Sequence, residues 1–122
     1  MRTPTRQQAY DEAKRFIETI ALRDAQALQH KFGISSAVSE EMFECIDAYF
    51  DKGAIISIAP LEAAFDSRMR KRPCIDGYET NGKVLGMECV LFENGMPGEA
   101  ILHIEVSEDN ERLDLYYQYT GS

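Results

Sequence analysis

The chain has 122 residues, 44% of them hydrophobic and 28% charged, and a formal net charge of −8 from 21 acidic and 13 basic side chains. These values fit one globular domain over residues 1–122, able to bury roughly two thirds of the surface its unfolded chain exposes, with no need of a disulfide, metal or cofactor. The acidic excess repels phosphate backbones, which argues against a nucleic-acid partner, and it speeds encounter with a basic one. No apolar run approaches the roughly 20 residues of a membrane span, so no membrane partner is expected.

Chain order begins with a helix. Thr3 offers an N-cap with Pro4 at the first helical position. Ala9, Ala13, Phe16, Ile17, Ile20, Ala21 and Leu28 recur at helical spacing, and Gly33 supplies a stop. A second helix opens at Ser39, with Glu40 and Glu41 complementing its dipole, buries Met42, Phe43, Ile46, Tyr49 and Phe50, and ends at Gly53. The β-branched run Ala54 to Ile58 suits a short strand, and Pro60 starts a short helix over Leu61 to Phe65.

From about residue 70 the period becomes two. A strand over Lys71 to Glu79 carries Pro73, which assigns it to a sheet edge. Asn81-Gly82 predicts a type I′ hairpin into a strand over Lys83 to Phe92, with Leu85, Met87, Cys89 and Leu91 on one face. Asn94 to Gly98 reads as a longer turn. Ala100, Leu102, Ile104 and Val106 then alternate with Ile101, His103 and Glu105. Glu108-Asp109-Asn110 turns the chain into a last strand, where Leu113, Leu115, Tyr117 and Tyr119 share one face and Arg112, Asp114, Tyr116 and Gln118 the other. The expected fold is α+β: two N-terminal helices and a short third packed on one face of a C-terminal four-stranded antiparallel meander.

Chemistry has few footholds. Cys45, Cys74 and Cys89 form no CxxC pair and no metal-ligand spacing, and Cys45 and Cys89 read as buried thiols. With polar residues after Met1 they point to the cytoplasm. His103 and Glu105 offer two ligands but no third at a recognisable spacing, and no nucleophile motif or phosphate loop is present. The basic run Arg68, Arg70, Lys71, Arg72 suits a solvated edge that resists strand addition. The more polar sheet face carries His103 and Glu105, with Glu88, Asp114 and Tyr116 from the neighbouring strands. Those five residues, with Glu108 and Asp109 at the rim, are the candidate partner-binding set.

Helices followed by a curved antiparallel meander resemble the NTF2-like and cystatin-like superfamilies. The small, acidic, motif-poor character is also similar to the immunity proteins of bacterial contact-dependent inhibition systems. That resemblance implies a noncatalytic protein that covers the active site of a basic, nuclease-type toxin domain. The NTF2-like resemblance implies, as the alternative, a small-molecule enzyme or ligand binder with a pocket lined by Phe16, Phe43, Met87 and Tyr117. Homodimerisation through the open sheet face is compatible with either.

Overall fold

The computed structural model describes residues 2–66, 73–80 and 82–121. The basic run 68–72 and Asn81 of the expected hairpin lie outside them. Among the described residues the order is α1 (Arg6–Ala21), α2 (Ala25–Phe32), α3 (Ser36–Tyr49), β1 (Ile56–Ser57), α4 (Leu61–Ala64), β2 (Ile75–Glu79), β3 (Leu85–Glu93), β4 (Met96–Asp109) and β5 (Arg112–Gly121). The fold is α+β with a curled antiparallel sheet. β2 to β5 form the expected meander, and β1 joins β2 along the same edge of β3.

Helix starts differ from the expected ones by where side-chain oxygen reaches a free backbone N–H. Thr5, not Thr3, caps α1: its Oγ1 accepts the Gln8 N–H at 3.1 Å while Gln8 Oε1 accepts the Thr5 N–H at 2.8 Å. This reciprocal box is the T-x-x-Q signature, and it leaves Pro4 outside the helix. The single long helix expected up to Gly33 is two helices. Arg23 adopts a positive φ of 53°, and Asp24 caps α2 by accepting the Ala27 N–H at 3.0 Å. Arg23 then pairs with Asp47 and lies over the Phe43 ring, tying the break to α3. Gly33 does end α2 in the left-handed conformation. Ser35 rather than Ser39 caps α3, which stops at Tyr49, short of Gly53.

The turns are tighter than the sequence suggests. Asn94-Gly95 is a two-residue connection with φ of 51° and 83°, the type I′ signature, so β4 starts at Met96 and the long turn to Gly98 is replaced by strand. Asn110-Glu111 repeats the device at 50° and 64°. Among the described residues of the β2–β3 hairpin Lys83 is left-handed and Gly82 is not, and the Thr80 N–H donates to the Val84 carbonyl at 2.9 Å.

One sheet face is covered by the helices, α1 and α3 both touching β4 and β5. Leu85, Met87, Cys89, Leu91, Ala100, Leu102, Ile104 and Val106 are all buried there, as alternation requires. Phe16 meets Phe32 edge-on at 5.0 Å and Tyr117 at 6.1 Å, joining α1, α2 and β5. Burial lifts the Cys89 thiol to about 12, with Glu88 adding to the shift, so this sulfur is an inert core atom.

β4 outlasts β3, whose first residue, Leu85, opposes Val106. The N-terminus fills the gap. Arg2 and Glu108 exchange backbone hydrogen bonds at 3.0 and 3.3 Å, and the guanidinium reaches the carboxylate at 2.8 and 3.1 Å. These donated hydrogen bonds hold the Glu108 carboxyl below its ordinary range, outweighing the opposing effect of desolvation. A depressed folded value gives stability that is fully present above the unfolded carboxylate range, about 4.3, and is lost as pH falls through the folded value. Glu108→Gln is therefore expected to be less stable than the parent at pH 7, with the gap closing as the pH is lowered. Urea unfolding at several acidic pH values measures it. A gap of constant size would show that the pair is not the source.

Candidate functional site

Backbone register decides which candidate side chains meet. Glu88 of β3 opposes His103 of β4, and His103 opposes Tyr119 of β5. Asp76 of β2 completes that row beside Glu88. In the adjacent row Tyr78 opposes Gly86, Gly86 opposes Glu105, and Glu105 opposes Tyr116. Directly opposed residues project from the same face. Glu88, His103, Glu105 and Tyr116 therefore converge as the sequence suggested, on the face turned away from the helices.

Beside Asp76, two aromatic members of this patch were not anticipated. Tyr119 was expected beside Tyr117. The ladder instead pairs Ile104 with Tyr117 and His103 with Tyr119, leaving Gln118 as the extra residue of a β-bulge. The bulge reverses the alternation, so Tyr117 faces the core while Tyr119 faces outward and stacks on His103 at 4.0 Å and 13°. Tyr78 is the second. A side-chain carbon built at Gly86 would lie 2.3 Å from the Tyr78 ring, so the ring rests directly on the glycine. A glycine inside a strand marks such a close approach, and Gly86 was the available signal.

These three tyrosines, Tyr78, Tyr116 and Tyr119, are 44%, 47% and 57% exposed, high values for rings held on a paired sheet. His103 Nδ1 stands 3.5 Å from Glu88 Oε1. Burial first, then the charges of Glu88 and Glu105 with smaller contributions from Tyr119 and Asp76, raise the Tyr78 hydroxyl above its ordinary value. The patch is thus aromatic, acidic and continuous across four strands.

Of the remaining candidates, Asp114 shares this face in the next row and Glu108 does not. Glu108 is only 5% exposed and points to the helix-covered side, bound to Arg2, so it is a structural ion pair rather than a rim acid. Asp109 is exposed at the end of β4, opposite Arg112. Asp114 stands 3.4 Å from Arg112 and opposes Ser107, further along the sheet than Glu105.

A cleft of about 600 Å³ runs between α1, α2 and β5, lined by Arg15, His30, Lys31, Arg112, Asp114 and Tyr116 among others. Another, of about 460 Å³, lies by Arg23, Asp47 and Phe50. Neither is lined by Glu88, His103 or Glu105, although Tyr116 of the same patch lines the first. Of the residues expected to line a pocket, Phe16 and Met87 are wholly buried, the Phe16 ring lies 6.1 Å from that of Tyr117, and none of the four lines either cleft. Among the described residues no three His, Cys, Asp or Glu side chains group as a metal site, and no helix is long and apolar enough to cross a membrane.

Rings and carboxylates arrayed together across four strands suit a macromolecular surface. No family model, no curated protein and no solved structure matches the chain.

Proposed function

We propose that this chain is a noncatalytic protein-binding domain that docks a basic protein on its outer sheet face. In its most specific form the proposal is an NTF2-like immunity protein of a bacterial contact-dependent inhibition system, covering the active site of a nuclease-type toxin in the cytoplasm. The observation that carries it is the exposure of Tyr78, Tyr116 and Tyr119 beside Glu88 and Glu105 on one sheet face. Tyrosine is enriched among the residues that dominate binding energy, because a large rigid ring loses little entropy on contact. The carboxylates and the net charge of −8 add steering toward a cationic surface. The same charge argues against face-to-face homodimerisation, which would bring Glu88, Glu105 and Asp76 against their own kind.

The test is stoichiometric binding to, and inhibition of, the basic protein encoded next to this chain in its host. Inhibition is expected to weaken with salt and to fall at least tenfold in Tyr116→Ala, a typical loss for an interface tyrosine. Failure to inhibit, or inhibition indifferent to outer-face substitutions, would overturn the proposal.

A further inference from the structure

Resting on that docking reading and going beyond it, we propose that the outer face holds a receptor site for one arginine side chain of the partner, its guanidinium lying between Tyr78 and the His103–Tyr119 pair and donating to Glu88 and Glu105. The two aromatic units are fixed by different means. Tyr78 extends from β2 across β3, its ring seated on Gly86. His103 and Tyr119 form a nearly parallel stack that extends the aromatic surface across β4 and β5. The rows containing them are adjacent, so the Tyr78 ring over Gly86 and His103 lie on one diagonal of a four-residue cell of the ladder, with Glu88 on β3 and Glu105 on β4 on the other.

Both carboxylates border that cell. Diagonal neighbours on paired strands are about 7–8 Å apart, a span that a guanidinium donating from two of its edges can bridge. Among the described residues the Glu105 carboxylate makes no hydrogen bond or ion pair, although the residue stands in mid-strand and is partly buried. Its charge adds to the burial and the Glu88 charge that raise the Tyr78 hydroxyl.

The chemistry selects arginine over lysine. A planar, delocalised cation stacks on ring faces and presents several in-plane N–H donors to separate carboxylates. An ammonium is a compact, strongly hydrated charge that one carboxylate satisfies, and it gains less from the rings.

Two short peptides of equal length and charge, one built on arginine and one on lysine, separate these cases, with a citrulline peptide as the uncharged planar control. The chain contains no tryptophan, so its own tyrosine emission and NMR shifts report binding directly. The arginine peptide is expected to bind about tenfold tighter than the lysine peptide, and the citrulline peptide not measurably. Glu105→Gln should remove the arginine preference. Gly86→Ala should do the same by pushing the Tyr78 ring aside; the clash is with the far end of a flexible side chain, so the unfolding midpoint should stay near that of the parent. Equal affinity for arginine and lysine peptides, or unaltered selectivity in both variants, overturns the inference. If the partner is inhibited through this face without arginine preference, the receptor site fails and the docking function stands. Arginine-selective binding with no inhibition of the partner supports the site and sinks the function.

Discussion

Phe16→Ala is expected to lower the unfolding free energy by about 3–5 kcal/mol, the range for deleting a fully buried aromatic ring. Phe16 has no solvent exposure and joins three elements, meeting Phe32 at the end of α2 and Tyr117 on β5. Its removal opens a void that rigid neighbours fill poorly, because α1 is held at its N-terminus by the Thr5–Gln8 box and α2 is anchored by its own Asp24 cap. Urea unfolding should show a lower midpoint with an unchanged slope, since the same surface is exposed on unfolding. Leu22→Ala, at 79% exposure on the same helix end, should change stability by no more than about 0.5 kcal/mol. A Phe16→Ala loss as small as that of Leu22→Ala would mean that α1 does not cover the sheet as described.

Local periodicity carried much of this architecture. Alternation along β3 and β4 assigned Leu85, Met87, Leu102 and Ile104 to the covered face and Glu88, His103 and Glu105 to the other, because face membership within a regular strand follows parity alone. What escaped the sequence reading depended on competition or on distant pairing. Thr3 and Thr5, and Ser35 and Ser39, were rival caps, and the choice between them is made by which oxygen reaches an open N–H. The break at Arg23 required weighing Asp24 as a cap against an apolar stripe that runs on to Leu28. Glu108 looked like a turn acid since nothing near it in sequence hints that Arg2, over a hundred residues away, returns to claim it. For the site, Tyr116 could be placed from its own strand, whereas Tyr78 and Tyr119 needed cross-strand register.

Tyr117 and Tyr119 test that register sharply, because a regular strand and a bulged one assign them opposite behaviour. On a regular β5 both rings would share the core face and their removal would cost similar stability. With Gln118 as the extra residue, Tyr117→Ala is expected to destabilise the fold by about 2 kcal/mol, since its ring lies on Phe16 and its hydroxyl bonds Thr120 at 2.9 Å. Tyr119→Ala should leave stability within about 0.5 kcal/mol, since its ring is mostly exposed. It should instead weaken partner binding by about 2 kcal/mol, roughly 30-fold, the loss typical of an aromatic hot spot. Deleting Gln118 gives a third, independent outcome: the residue after Tyr117 would then oppose His103 without a bulge, so the His103–Tyr119 stack and partner affinity should survive. Chemical denaturation of the three variants, with affinity measured on the folded fraction, decides the matter. Equal destabilisation by Tyr117→Ala and Tyr119→Ala would falsify the bulge, and with it the placement of Tyr119 on the face that we assign to binding.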